Sequence, residues 1–336
     1  MRIVTLLVPL LLLACGARSQ LDVPAPNEAS PMAPRSPHLD ARFTHACHVD
    51  ADGLTRCWGR NTRGALGPGV ERALTPVEVD LGGFVVAVSV GQSHTCGLRE
   101  DGDVACLGHV GALSAVDGPR VALSGVVAVG SSLTDVCGIT ADGGVVCAAA
   151  GWIEGVEDAV ALEGGDAHLC ALESAGTVRC WGDGAHGQLG GRPSSEAAAP
   201  VPDLPPAVAI SSGDRHVCAL DAEGLARCWG TWDGRLRPRP ERIGAPPARA
   251  VLARGPGTIC LGLETGEVRC NRRYLDEPSP GECLYAIEDP LAEVPGLRGA
   301  AALTGHAYGL CAETEEGVSC WGCNHHGTVG DGSTTL

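Results

Sequence analysis

Cysteine is the residue whose type and spacing say most about chemistry in this chain. The sequence contains 17 cysteines, which could form disulfides, bind a metal ion or act as a redox dithiol. The C-x-x-C spacing of redox and zinc sites occurs between Cys320 and Cys323, with His325 and His326 just beyond. Cys320 also fills an ordinary position of the repeat described below, which favours a structural role for it.

Most cysteines stand in pairs that flank a glycine-containing turn. Six pairs are ten residues apart, with a glycine six residues after the first cysteine: Cys47 and Cys57, Cys96 and Cys106, Cys137 and Cys147, Cys170 and Cys180, Cys218 and Cys228, Cys260 and Cys270. A seventh pair, Cys311 and Cys320, surrounds Gly317 and is one residue shorter. This spacing predicts either a four-residue loop from Thr314 to Gly317 or a bulge in the last copy.

Each pair marks a β-hairpin. In the first copy a three-residue loop, 51–53, ends in Gly53, which supplies the positive φ that such a loop needs. Counting cross-strand pairs outward from this loop places Cys47 opposite Cys57 in a non-hydrogen-bonded pair. The two Cα atoms are then about 4.5 Å apart, which is close enough for a disulfide.

The hairpins recur with a period that indicates a ring of repeats. From Cys47 to Cys311 the first cysteines span 264 residues in six intervals, a mean of 44 residues per repeat. A small apolar run precedes several hairpins, as in 86–90 and 126–129, and a Pro-Val run follows some of them, as in 76–79. Four short strands per repeat and seven repeats predict an all-β fold, a seven-bladed β-propeller with one disulfide-linked hairpin per blade.

Several runs resemble the repeat of the regulator of chromosome condensation (RCC1) family. They are the Trp-Gly runs 58–67, 181–190 and 321–330, and the segment 91–98, Gly-Gln-Ser-His-Thr-Cys-Gly-Leu. The resemblance covers nearly everything after residue 39, departs at Ala148–Ala150 and after Cys270, and implies a seven-bladed β-propeller. Members of the family exchange nucleotides on a small GTPase or bind nucleosomes. A secreted bacterial member inhibits a β-lactamase through loops on one propeller face.

The first residues resemble a lipoprotein leader. Residues 1–14 carry one Arg and an apolar run that is too short to span a bilayer, which predicts a signal peptide. Leu12-Leu13-Ala14 before Cys15 resembles the bacterial lipobox and implies lipid attachment to Cys15. Residues 15–38 are rich in proline and predict a tether, so that 39–336 form the propeller. The predicted location is the bacterial cell envelope, outside the cytoplasm.

The remaining cysteines fit the same oxidising compartment. Aromatic residues make up only 3% of the chain, so hairpin disulfides would compensate for a core of small side chains. With Cys15 assigned to lipid, Cys283 and Cys323 remain, and they are predicted to pair and to hold the insertion 271–296 against the last blade.

Charge and composition weigh against several functions. The formal net charge is −16, which disfavours nucleic acid as a partner. All basic residues other than histidine are Arg, so Lys-based phosphate binding and Schiff-base chemistry are excluded. A histidine stands two residues before a hairpin cysteine in four copies: His45, His94, His168 and His216, with His306 close to the same place. The spacing favours a structural repeat position hydrogen-bonded within each blade over a ring of metal ligands.

The sequence therefore predicts a monomeric, lipid-anchored propeller that binds an unidentified protein, without catalysis, cofactor or metal. The candidate contacts are Trp232 and Arg235 in an irregular turn, and Tyr274 and Tyr285 in the insertion, since Trp, Tyr and Arg are favoured at interfaces. One alternative is an enzyme or glycan-acting protein with a site at the axial mouth, where convergent carboxylates and histidines would favour it. Another is a guanine-nucleotide exchange factor, by family descent.

Overall fold

The computed structural model consists of seven four-stranded antiparallel sheets arranged as a ring. It describes residues 18–21, 38–274, 285–300, 302–306, 309–314, 317–322, 324 and 327–332. The innermost strand of each sheet contacts the innermost strand of the next, and the last contacts the first. The all-β, seven-bladed propeller predicted from the sequence is confirmed.

Each blade is a meander that runs from the axis to the rim. The chain begins with β1 (Arg18–Leu21), which belongs to the last blade. Blade 1 contains β2 (Leu39–Arg42), β3 (His45–Val49), β4 (Thr55–Arg60) and β5 (Arg72–Glu78). Blade 2 contains β6 (Val85–Val90), β7 (His94–Arg99), β8 (Val104–Val110) and β9 (Leu113–Leu123). Blade 3 contains β10 (Val126–Ser131), β11 (Val136–Thr140), β12 (Val145–Cys147) and β13 (Gly151–Trp152).

The remaining blades follow the same order. Blade 4 contains β14 (Ala159–Gly164), β15 (His168–Glu173), β16 (Val178–Gly182) and β17 (Ser195–Pro200). Blade 5 contains β18 (Ala207–Ser212), β19 (His216–Asp221), β20 (Ala226–Trp232) and β21 (Arg235–Arg242). Blade 6 contains β22 (Ala248–Arg254), β23 (Thr258–Leu263), β24 (Glu267–Tyr274) and β25 (Tyr285–Arg298). Blade 7 contains β26 (Ala302–His306), β27 (Gly309–Thr314), β28 (Gly317–Gly322) and, as its outer strand, β1.

Because neighbouring strands are antiparallel, the connections alternate between two faces of the ring. The hairpin face carries the loops between second and third strands, such as 50–54. The turn face carries the connections from inner to second strand, such as 43–44, and from third to outer strand, such as 61–71. Thr62–Gly64 form a short 3-10 turn in the latter.

The hairpin register is the one predicted from the cysteine spacing. Cys47 pairs with Cys57, and the pairs His48 with Arg56 and Val49 with Thr55 lead to the loop. Gly53 adopts a φ of +73° there. All seven predicted bridges form, with Cα atoms 3.9 to 4.1 Å apart.

The seventh hairpin reaches the same register by a shorter connection than predicted. Thr314 pairs with Gly317, and Cys311 pairs with Cys320 without a bulge. Two residues therefore connect the strands instead of four. The shorter connection compensates for the one residue that this copy lacks between its two cysteines. The Thr314 hydroxyl donates to the Gly317 carbonyl oxygen at 3.2 Å.

The two ends of the chain share blade 7. In β1, Arg18 pairs with Trp321 and Leu21 pairs with Val318. Part of the segment predicted to be a tether therefore forms the outer strand of the last blade. Blade 1 is also linked to blade 7 by the Trp58 Nε1–H, which donates to the Thr328 carbonyl oxygen at 2.9 Å, and by the Gly332 N–H, which donates to the Leu74 carbonyl oxygen at 2.9 Å.

Small apolar side chains fill the spaces between blades. The core clusters consist mainly of Ala, Val, Leu and the disulfide sulfurs, and the fully buried Trp58 and Trp229 are the largest members. Trp229 repeats the contact of Trp58, because its Nε1–H donates to the Gln188 carbonyl oxygen of the preceding blade at 2.9 Å. The tryptophan of the Trp-Gly run therefore connects neighbouring blades.

The insertion 271–296 is more regular than expected. Much of it extends the third and outer strands of blade 6, so that Tyr274 pairs with Tyr285 at the end of a long hairpin. Cys15, Cys283 and Cys323 lie outside the described residues. Lipid attachment to Cys15 and the disulfide between Cys283 and Cys323 therefore stay predictions.

Removal of one hairpin disulfide should measurably weaken the ring. We expect Cys170→Ala with Cys180→Ala to lower the free energy of unfolding by about 2–3 kcal/mol, because the bridge limits the freedom of the unfolded chain. Both cysteines are fully buried in blade 4. Urea unfolding under oxidising conditions measures the loss, and the same comparison after full reduction is the control, where the difference should shrink. A loss below about 0.5 kcal/mol, the level of an ordinary surface substitution, would contradict the prediction.

Candidate functional site

The centre of the ring is filled by charged side chains. Asp40 and Arg42 come from the inner strand of blade 1, Glu163 from blade 4 and Arg254 from blade 6. All four are at most 5% exposed. We call these four residues the axial network.

The axial network joins blades that lie across the axis from one another. Arg254 Nη2 contacts Asp40 Oδ1 at 3.2 Å, and Arg254 Nη1 contacts Glu163 Oε2 at 3.5 Å. Arg254 Nη1 also donates to the Ser212 carbonyl oxygen at 2.7 Å. The Asp40 carboxylate further accepts from the Val90 N–H at 2.7 Å and from the Thr304 hydroxyl at 3.3 Å. One aspartate thus ties blade 1 to blades 2, 6 and 7.

Arg42 completes the network on the side of the turn face. Its guanidinium donates to the carbonyl oxygens of Gly164 and Gly165, the latter at 3.0 Å. Burial, followed by repulsion from Arg254, lowers the pKa of Arg42 to about 10. The group therefore stays protonated at neutral pH, and the centre of the ring holds engaged ion pairs.

Backbone hydrogen bonds link the inner turns of blades 2 to 6 on the turn face in a belt along part of the axis. Each runs from one blade to the next: Gln92 N–H to Leu133 O at 3.3 Å, Leu133 N–H to Gly165 O at 3.1 Å, Asp166 N–H to Asp214 O at 3.1 Å and Asp214 N–H to Gly255 O at 2.9 Å. The belt places the carboxylates of Asp166 and Asp214 near each other. Burial, followed by the Asp166 charge, raises the pKa of Asp214 to about 6, and burial raises the pKa of Asp166.

The repeated histidines are buried between blades and do not converge on one point. His45, His94, His168 and His216 are each 0% exposed. His45 Nε2 lies 3.0 Å from the Thr95 hydroxyl, and His216 Nε2 lies 3.1 Å from the Thr258 carbonyl oxygen, both in the following blade. The predicted hydrogen bond within each blade is therefore wrong for His45 and His216, whose partners belong to the next blade. Neither ring nitrogen of His94 or His168 has a hydrogen-bond partner among the described residues, so what these positions share is burial.

Three of these histidines, His94, His168 and His216, follow a glycine by three residues, and this glycine is required by packing. A Cβ atom on Gly91 would lie 2.0 Å from the His94 ring, and one on Gly165 would lie 1.9 Å from the His168 ring. The imidazole therefore occupies the space that a side chain at the glycine would need. The Gly-x-x-His pattern is a packing motif.

The candidate metal and redox residues have structural roles where the structure describes them. Within that part of the chain, Asp135, Cys137 and Cys147 are the one group of three ligand-bearing side chains close enough to hold a metal ion. Cys137 and Cys147 are joined as a disulfide, so neither sulfur is a free thiolate. Cys320 is likewise bound to Cys311 and cannot supply the C-x-x-C thiol, while Cys323, His325 and His326 lie outside the described residues.

The two candidate contact residues in the irregular turn of blade 5, Trp232 and Arg235, differ in their exposure to solvent. Trp232 is only 6% exposed, and the Arg237 guanidinium lies 4.1 Å from the centre of its ring. Arg235, by contrast, is exposed beside Leu236, whose side chain is 59% exposed. The exposed surface at this turn is therefore formed by Arg235 and Leu236. Tyr274 and Tyr285 pair as backbone neighbours, as described above, at the end of the blade 6 hairpin.

Comparisons with known proteins identify the repeat. A family model described as the regulator of chromosome condensation (RCC1) repeat matches residues 52–98, and a second model with the same description matches residues 159–188 and 207–233. No curated protein matches the sequence.

Several solved structures share the fold. Prp20p from Saccharomyces cerevisiae, whose crystal structure was described with its binding properties to Gsp1p and histones, is 18% identical with a TM-score of 0.69; the match covers 91% of this chain and 88% of that one. Human WBSCR16 is 16% identical with a TM-score of 0.66, covering 84% of this chain and 86% of that one. The ectodomain of the Arabidopsis thaliana receptor kinase ACR4 is 20% identical with a TM-score of 0.56, and the match covers 84% of this chain and 95% of that one. At these identities the likeness concerns the fold.

Proposed function

We propose that this RCC1-repeat β-propeller is a lipid-anchored module of the bacterial cell envelope that binds another protein through loops at its rim. The observation that supports protein binding through the loops is that side chains fill the centre of the ring. Ligand sites are usually concave and largely preformed, whereas the centre of this ring holds the mutually paired side chains of the axial network. Exposed loops remain as the surface on which a partner could bind.

Seven disulfides support an oxidising compartment outside the cytoplasm. The leader-like residues 1–14 and Cys15 support the lipid anchor. No helix in the described part of the chain has the length and apolar character needed to cross a bilayer. The similarity to Prp20p, which was described with its binding properties to Gsp1p and histones and whose structure bound to Kap60 is known, supports protein binding by this fold.

The proposed contact surface comprises the exposed turn residues Arg235 and Leu236 and the end of the blade 6 hairpin with Tyr274 and Tyr285. Arg235 and Leu236 are accessible on the turn face. Arginine is among the residue types that most often anchor an interface, and the exposed Leu236 adds apolar area beside it. Trp232 would support this turn from beneath through its contact with Arg237.

Cross-linking of the anchored protein in intact envelopes, followed by affinity capture and mass spectrometry, tests the proposal. We expect one protein to be enriched, and we expect Arg235→Glu to lower its capture at least about tenfold, the size of a contact worth more than 1 kcal/mol. Arg242→Glu is the matched control, since Arg242 is an exposed arginine at the other end of the same strand. Equal capture by the two variants would contradict this surface, and absence of any enriched protein would contradict the binding function.

A further inference from the structure

The outer strand of blade 7 fixes where the chain leaves the propeller. Strand β1 runs antiparallel to β28, with Arg18 opposite Trp321 and Leu21 opposite Val318. Trp321 lies at the end of β28 that leads to the turn face. Arg18, where the described strand begins, therefore lies at the outer edge of blade 7, on the side of the turn face.

Only two residues separate this edge from the proposed lipid. Gly16 and Ala17 lie between Cys15 and Arg18, and three residue steps reach at most about 11 Å. Residues 22–37 do not lengthen this distance, because they join β1 to β2 and both of their ends are held in the ring.

We propose that the outer edge of blade 7 lies against the membrane surface, with blades 3 and 4 on the opposite side of the ring and farthest from the bilayer. This orientation rests on the proposed lipid anchor. The occupant of the blade 7 edge is the lipid surface itself, because an anchor of this length leaves no room for a protein between the edge and the bilayer.

The exposed apolar side chains agree with this orientation. Trp152 is 66% exposed on the outer strand of blade 3, and Val127 and Val160 on the inner strands of blades 3 and 4 are 61% and 55% exposed. Val121, in blade 2, is 47% exposed. Of the seven exposed large apolar residues in the described part of the chain, four thus lie in blades 2 to 4, on the side that would face away from the membrane.

Energy transfer from the protein to the lipid surface tests the orientation. A fluorescent amino acid replaces Arg72 in one variant and Ala150 in another; both residues are exposed on the turn face, in blade 1 next to blade 7 and in blade 3. The lipidated proteins are bound to vesicles of phosphatidylethanolamine and phosphatidylglycerol that carry a headgroup acceptor. A domain of this size has a radius of gyration of about 19 Å, so we expect at least about twofold more transfer from the Arg72 position than from the Ala150 position.

A spacer variant serves as the internal comparison. A flexible Gly-Ser spacer of about 20 residues between Gly16 and Ala17, with a mean reach of about 25 Å, should make the two positions similar. Equal transfer from both positions in the protein with its natural spacing, while it remains bound to the vesicles, would overturn the orientation alone. A mature protein that carries no lipid on Cys15 and does not float with vesicles would overturn the anchor and the orientation together.

Discussion

Acidification from pH 7 to pH 4.5 is expected to remove much of the stability of the propeller. Burial lowers the pKa of His45 and His48 to about 4 and that of His94 and His168 to about 3. In the unfolded chain these groups bind protons near pH 6.5, so the unfolded state takes up more protons than the native state below that pH. Each histidine then lowers the free energy of unfolding by about 1.4 kcal/mol per pH unit, and four together reach on the order of 10 kcal/mol.

Some carboxylates act in the opposite direction. Burial raises the pKa of Asp214 to about 6 and also raises the pKa values of Asp135 and Asp166, so the native state binds protons more readily at these three groups as the pH falls. Their effect is smaller because fewer groups are involved. The net expectation is a steep loss of stability below pH 6.5.

Urea unfolding at a series of pH values from 7.5 to 4.5 (roughly the span over which histidines titrate) measures this loss. His168→Thr is the matched variant, because blade 6 carries Thr258 at the same place of its repeat. It should lose about 1.4 kcal/mol less per pH unit in the acidic range than the parent chain. An unfolding free energy that is constant from pH 7 to pH 4.5 would show that these histidines are not buried in their neutral form.

Arg254→Met is expected to cost about 3–5 kcal/mol of unfolding free energy, because it leaves Asp40 and Glu163 as buried charges without this partner. The methionine keeps much of the arginine's apolar volume, so the loss measures mainly the missing charge. The variant removes one of the links between blade 6 and blades 1 and 4.

Arg239→Met is the matched control for this change. Arg239 is paired with Asp203, but both side chains are about two-thirds exposed, so the same substitution there should change stability by less than about 1 kcal/mol. The urea unfolding midpoints of Arg254→Met and Arg239→Met, compared at neutral pH, test whether the axial network stabilises the ring. Equal midpoints would mean that the axial network does not hold the ring together.

The hairpins, their register and the number of blades could be predicted because they depend on local spacing. A glycine at the loop and two cysteines at fixed distances leave one register in which the sulfurs meet, as Cys47 and Cys57 do. The long hairpin in blade 6 and the strand β1 could not be predicted, because Arg18–Leu21 and 271–296 carry no repeat motif.

The axial network was also missed from the sequence, because its members are far apart along the chain. Asp40 and Arg254 are separated by 214 residues and meet only when the ring closes. A signal was nevertheless present: Glu163 and Arg254 each stand in or beside an inner apolar run, where a charge requires a buried partner. Trp232 was predicted to be a contact for a partner, but it is buried. The sequence around it gave no indication that the Arg237 guanidinium would cover its ring.

The closing strand also determines how the propeller would respond to tension. If a partner pulled the body away from the bilayer, the load would enter at Arg18 and act across β1, because the outer edge of blade 7 faces the membrane in the proposed orientation. The hydrogen bonds between β1 and β28 lie in that direction, so they would open one after another from the Arg18–Trp321 pair to the Leu21–Val318 pair. Mechanical resistance would then reside in a ladder of four residues, and its rupture would detach the first strand while the seven disulfide-linked hairpins stayed intact.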